Sequence, residues 1–299
     1  MIAPGLKTAA KWAWVLLVAV FVGYYAFTRH ELIQESFDRL GWVPILAALL
    51  SISLAKLTLV ENMRSAVRRA GKAIPFDACF CIYNLTQLAK YVPGSVWQFV
   101  SRIAILRERG LSVSVIRDSI LAEHAWVLAT ALVFGVALVA LSDWGWLVQD
   151  FDVVVPAYAW VVLALVISAA LIGASSPLGQ RFLAWGWSLR PGGYAITVLM
   201  GAWLLLGSAF WLTLSPFSVD TISWSYVVGV YCLAYLVGFL VPFAPAGLGA
   251  RETVLVAGAG PLVGVDVAIF LAAVNRILYL LAEFGMVAPC LLLRRPLAA

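Results

Sequence analysis

The sequence predicts an all-α polytopic membrane protein, with about six spanning helices and two re-entrant helical hairpins forming an inverted repeat. Three observations lead there. Of the 299 residues 64% are hydrophobic and 12% charged, and the mean hydropathy is +0.99; a soluble chain is about half apolar and a quarter charged. Apolar segments recur along the whole chain, several of about 17–25 residues, the length that crosses a bilayer core. Lysines and arginines gather in particular connecting segments, as the positive-inside rule describes.

Each element follows from its own residues. Lys7 and Lys11 precede the apolar stretch 12–28. Tyr24, Tyr25 and Phe27 stand where a signal peptide would have small residues, so this segment reads as an uncleaved first span. Segment 42–60 is the second span, and loop 61–75, with Arg64, Arg68, Arg69 and Lys72, is expected on the cytoplasmic side, as is the N-terminus. Segments 76–91 and 95–106 are split by Pro93-Gly94. Sixteen helical residues reach only about 24 Å, short of a core of about 30 Å. The basic cluster Arg107, Arg109 and Arg117 falls on the cytoplasmic side only if 76–106 enters and returns as a hairpin.

Segment 116–141 then runs outward to a loop with Asp143, Asp150 and Asp152 and no Lys or Arg. Segment 156–174 returns to Arg181 and Arg190, and 192–214 runs out to Asp220. Segments 226–243 and 249–263, split by Pro242 and Pro245-Ala246-Gly247-Leu248-Gly249, form the second hairpin, entering from the outer face. Segment 265–291 leads back to Arg294 and Arg295, which puts the C-terminus in the cytoplasm. The chain is thus one integral membrane domain, 1–299, located in the cytoplasmic membrane. Its halves, 1–149 with hairpin 76–106 and 150–299 with hairpin 226–263, each hold an odd number of spans and so have opposite orientation.

The halves also echo each other. Pro93 precedes His124 by 31 residues and Pro245 precedes Arg276 by 31, so Glu123-His124 falls opposite Asn275-Arg276. Arg102 and Arg251 each follow a break, with Leu106 and Leu255 four residues on.

Broken backbone at membrane depth must face protein or water, because its N–H and C=O groups find no partners in lipid. Helix N-termini that restart after a break carry partial positive charge and free N–H donors. Lys90, Arg102, Arg251 and Arg276 around Pro93, Gly94, Pro245, Gly247 and Gly249 therefore read as a site for an anionic group, phosphate or pyrophosphate, with Glu252 beside Arg251. The competing reading is internal pairing, with Glu252 on Arg251 and with Glu123 or Glu283 on Arg102 or Arg276. Lys56, near the end of its span and beside Glu61, is expected to snorkel to the cytoplasmic surface, and Lys90 has the same option. His124 reads as a proton carrier or as a hydrogen-bonded interior histidine. Tyr83, Tyr91 and Trp97 line the hairpin or sit at an interface. The four cysteines, Cys79, Cys81, Cys232 and Cys290, read as small core hydrophobes. No residue pattern points to a metal, a cofactor, a catalytic residue or nucleic acid, and no phosphate-loop motif for ATP is present.

Two stretches, NLTQLAKYVPGSVWQFVSRIAILRERGLS and PFAPAGLGARETVLVAG, together with the later AAVNRILYLLAE, resemble signatures of the flippase-like lysylphosphatidylglycerol synthase transmembrane-region family. The resemblance covers nearly the whole chain. It implies translocation of a lipid, with Lys90, Pro93, Gly94, Arg102, Pro245, Gly247, Gly249, Arg251, Glu252 and Arg276 at the motif positions. The chain runs only to Ala299, so the family's soluble aminoacyltransferase domain, and aminoacylation with it, are not expected. The expected partners are an anionic lipid or lipid-linked glycan precursor, the bilayer, a second copy of the chain or envelope-biosynthesis proteins. A membrane enzyme using Glu252, or Glu123 with His124, and a non-transporting scaffold of an envelope-synthesis complex stand as alternatives.

Overall fold

The computed structural model describes residues 16–17, 20–21, 23–91, 96–142, 177–217, 222–241 and 244–293. Regular structure among these residues is helical throughout, with no strand. Helix α1 (His30–Leu40) has Glu31 in its first turn and Arg39 in its last, both favourable to the helix dipole. It stops at Gly41, whose φ of 67° lets the chain turn into α2 (Trp42–Arg69). Helix α2 closes on Arg68 and Arg69, again matched to the C-terminal dipole. Helix α3 (Phe76–Leu88) starts behind Pro75 and runs into a 3₁₀ turn, Ala89–Tyr91. Then come α4 (Trp97–Glu108) and α5 (Val113–Leu141), the latter capped by the Ser112 hydroxyl, which accepts from the Val115 N–H. The order continues with α6 (Pro177–Ser188), α7 (Gly193–Leu214) and its 3₁₀ extension Ser215–Phe217, and α8 (Trp224–Leu240), which is capped by Ser223. A 3₁₀ turn, Pro245–Gly247, precedes α9 (Ala250–Val263), and Gly264 separates α9 from α10 (Val265–Leu293).

Among the described residues four helices are long and apolar enough to cross a membrane: α2, α5, α7 with its extension, and α10. They coincide with four of the six expected spans. Of the other two, 156–174 lies outside the described residues, as do Pro93, Gly94 and Pro242, and within 12–28 residues 16–17, 20–21 and 23–28 are described, as helix. Both short pairs are present as pairs. Helix α3 packs on α4, and α8 on α9. With 13, 12, 17 and 14 residues, these helices reach only about 18–26 Å. The 3₁₀ turns Ala89–Tyr91 and Pro245–Gly247 touch each other, so the two pairs meet at these turns.

Helix α2 is the hub, packing on α3, α5, α7 and α10, while α5 packs on α8. The α5–α8 contact is close because it is glycine to glycine. A Cβ on Gly229 would lie 2.9 Å from the Gly135 carbonyl oxygen. Small residues that let backbones meet are the usual means of helix packing where water exclusion does not drive association. On the outer surface Trp42, Leu46, Leu50 and Leu54 repeat every four residues along α2 and are exposed, an apolar stripe suited to lipid.

The cysteines depart from expectation. Cys79 and Cys232 are buried and free, as small hydrophobes are. Cys81 and Cys290 instead form a disulfide that joins α3 to α10, with Cα atoms 5.3 Å apart.

Candidate functional site

A cavity of about 400 Å³ opens where the two short pairs meet α5 and α10. Lys90, His124, Arg251 and Arg276 line it, together with Gln87, Gln98, Gly247 and the rings of Tyr83, Tyr235 and Tyr279. Among the described residues that line it, none is a carboxylate.

Arg251 sits in the first turn of α9. The entry to that helix is fixed by Gly249, at φ 84°, whose N–H donates to Glu252 Oε2 at 2.8 Å. The helix lies close to α8 because position 238 is glycine: a Cβ there would come 2.9 Å from the Arg251 Cβ. Gly247, at φ 70°, is pressed on the same residue, since its added Cβ would lie 2.8 Å from the Gly238 carbonyl oxygen. The guanidinium donates to the Tyr231 hydroxyl and to Asn275 Oδ1 at 3.1 Å, and it lies over the Tyr231 and Tyr279 rings at 4.6 and 5.1 Å. Among the described residues no carboxylate is within ion-pair distance of it, and Arg251 Nε and Asn275 Nδ2 are buried without a hydrogen-bond partner. A buried guanidinium with an unused donor is poised for an acceptor from outside the protein.

Arg276, on α10, donates to the Ala246 carbonyl at 3.2 Å and stands 3.6 Å from Glu252. Ala246 holds a left-handed conformation, φ 52°, which aims that carbonyl at the guanidinium. Glu252 therefore pairs with Arg276 across the break and not with its neighbour Arg251.

Arg102 has no such freedom. It is 2% exposed, forms a 2.6 Å ion pair with Glu123 Oε2 and donates to Thr86 Oγ1 at 3.3 Å. Neither Arg102 nor Glu123 lines the cavity; the internal-pairing reading describes both.

Lys56 overturns the expectation of snorkelling. Its side chain is 1% exposed, and Nζ lies 2.9 Å from Glu283 Oε1, over the Tyr279 ring. The local signal, a lysine near a helix end beside Glu61, gave no hint of a carboxylate 227 residues away. Glu283 also receives Lys90 Nζ at 2.5 Å and the Tyr91 hydroxyl at 2.5 Å. It thus serves the two lysines and not Arg276.

His124 Nδ1–H donates to the Ile120 carbonyl at 2.8 Å, and the ring lies between Phe99 and Phe239. That is a hydrogen-bonded interior histidine whose ring also forms part of the cavity wall. Tyr83 lines the cavity, and Trp97 is half exposed.

Lys90, Arg251 and Arg276, each named from the sequence, come to one cavity, while Arg102, Glu123, Glu252 and Glu283 form its charged surroundings. Lys56, Tyr231, Asn275 and Tyr279 were missed as contacts because they act through long-range packing. Among the described residues, the buried and half-buried charges in and around the cavity are five cations (Lys56, Lys90, Arg102, Arg251, Arg276) and three carboxylates (Glu123, Glu252, Glu283), an excess of two positive charges. Excess positive charge with unused donors is the chemistry that suits an anionic acceptor. No family model matches this chain, and no curated protein matches it.

Proposed function

We propose that the chain moves an anionic, phosphate-bearing lipid or lipid-linked glycan precursor across the cytoplasmic membrane. In this reading Lys90, Arg251 and Arg276 hold the headgroup in the cavity while the acyl or prenyl tails stay in the bilayer. The observation that carries it is a cavity lined by three cations and, among the described residues, by no carboxylate. A zwitterionic headgroup would want an acid for its ammonium; a phosphate wants only donors and positive charge.

A comparison of the halves supports the reading. In the first, the arginine after the break is neutralised by Glu123 of the following helix. In the second, Arg251 meets Asn275, the residue at the matched position. The amide orients the guanidinium without cancelling its charge. Under the same proposal the short pairs are re-entrant hairpins from opposite faces, the halves are an inverted repeat and both termini are cytoplasmic. This arrangement suits a binding site at the midplane of an alternating-access protein.

The test is lipid retention and transbilayer movement for the wild type and Arg251→Gln. Native mass spectrometry of purified protein should show a phosphate-bearing lipid held by the wild type and depleted about tenfold or more in the variant, the effect of losing one charge-assisted contact. Vesicles containing the protein should show transfer of a labelled phosphatidic acid that falls in step. Equal retention and equal transfer by both proteins would overturn the proposal.

A further inference from the structure

Glu283 is one carboxylate serving two lysines, and the lysines differ in access. Lys56 is 1% exposed at its side chain, lies behind the cavity and does not line it. Lys90 is 15% exposed at its side chain and does line it. Among the described residues, the side-chain hydrogen bonds and ion pairs of Glu283 come from these two lysines and the Tyr91 hydroxyl. We infer that Lys90 is an exchangeable ligand: it leaves Glu283 for the phosphate of the bound molecule, and Lys56 is the positioning residue that keeps Glu283 paired when it does. The inference rests on the anion-site reading above and assigns it a mode of binding and release.

The chemistry of the three lining cations separates their roles. Arg251 and Arg276 are planar forks, fixed by Tyr231 and Asn275 in one case and by the Ala246 carbonyl in the other. An ammonium on a four-carbon stem is a compact charge with rotatable donors and can change partners with little rearrangement. A buried carboxylate left with no cation is strongly disfavoured. Without Lys56, therefore, Lys90 would be trapped on Glu283. With Lys56 at 2.9 Å and the Tyr91 hydroxyl at 2.5 Å, Glu283 keeps a cation and a donor while Lys90 is away. The same carboxylate draws Lys90 back when the ligand leaves. A translocated ligand needs this balance, since binding must be firm enough to load and weak enough to unload.

The experiment measures binding of dioctanoyl phosphatidic acid to the detergent-purified full chain by calorimetry. Dioctanoyl phosphatidylcholine is the control lipid, and inorganic phosphate is titrated in parallel. Lys56→Met leaves a neutral Lys90–Glu283 pair, so the protein should fold and its affinity should fall about tenfold or more. Lys56→Arg, which keeps the cation, should restore most of the affinity. The double variant Lys56→Met/Glu283→Gln should also recover binding, because no carboxylate is left to hold Lys90. Glu283→Gln alone should bind more tightly than the wild type although its unfolding temperature falls, opposite directions that a purely structural role would not give. The same order of affinities with inorganic phosphate supports exchange with a free anion as the ligand; the order with phosphatidic acid alone supports it with a lipid headgroup. Wild-type affinity in Lys56→Met, no recovery in the double variant, or no tightening in Glu283→Gln overturns the exchange. Failure of the anion site itself reads differently: there, Arg251→Gln binds like the wild type.

Discussion

Replacing Asn275 with Asp puts on Arg251 the carboxylate that Arg102 already has in the first half. Asn275 Oδ1 is 3.1 Å from the guanidinium, so the new carboxylate would need almost no movement to pair with it. Two unit charges 4 Å apart interact by about 4 kcal/mol at an effective dielectric of 20. A charged hydrogen bond is worth about 1.5–3 kcal/mol net. The internal pair should stabilise the protein by about that amount, and a bound phosphate should lose a similar amount of its attraction to Arg251. That loss corresponds to about 10- to 100-fold in affinity. Two measurements check it together: thermal unfolding in detergent, which should shift upward, and retention of phosphatidic acid by native mass spectrometry, which should collapse. A variant that unfolds later yet holds lipid as the wild type does would refute the idea that Arg251 stays uncompensated for the sake of a ligand.

Two further predictions concern the surroundings of the site. Glu123→Gln leaves the buried Arg102 with Thr86 and the Tyr83 ring as its contacts; stability should fall by about 3–5 kcal/mol, with most of the loss recovered in Arg102→Met/Glu123→Gln, as read by unfolding temperature. Peptides bearing Cys81 and Cys290 should run linked until reduced, and Cys81→Ser, which removes a cross-link between residues 209 apart, should cost about 2–4 kcal/mol in the same assay.

The legible part of this protein was what local pattern encodes. Runs of lipid length gave α2, α5, α7 and α10, and the Pro/Gly breaks gave the two short pairs, because both signals lie in contiguous residues. Lys90 and Arg251 were found because a charge beside a break in an apolar chain has few bland explanations, and Arg276 because it is a charge well inside a span. Partner choice was not legible. Glu252 lies next to Arg251 in sequence, yet successive residues on a helix point apart, and Arg276 of α10 is the cation it reaches. Lys56 had a plausible local fate at a helix end, and only packing of α2 on α10 brings Glu283 to it. Cys81 and Cys290 looked like packing residues for the same reason: each is a small side chain in an apolar segment, and their proximity is a property of the fold alone.

The Cys81–Cys290 bond also bears on how such a molecule can move. Cys81 belongs to the first half of the chain and Cys290 to the second. A few turns away, the Lys90–Glu283 contact joins the same two elements, Lys90 directly after α3 and Glu283 on α10. The covalent attachment limits sliding of α3 along α10 even while Lys90 is away from Glu283. Rocking of one half against the other as rigid blocks would shear a covalent bond. Under the proposed transport, opening of the cavity to either side would be carried by the remaining walls, α4, α5 and the α8–α9 pair, moving about a post of α3 and α10.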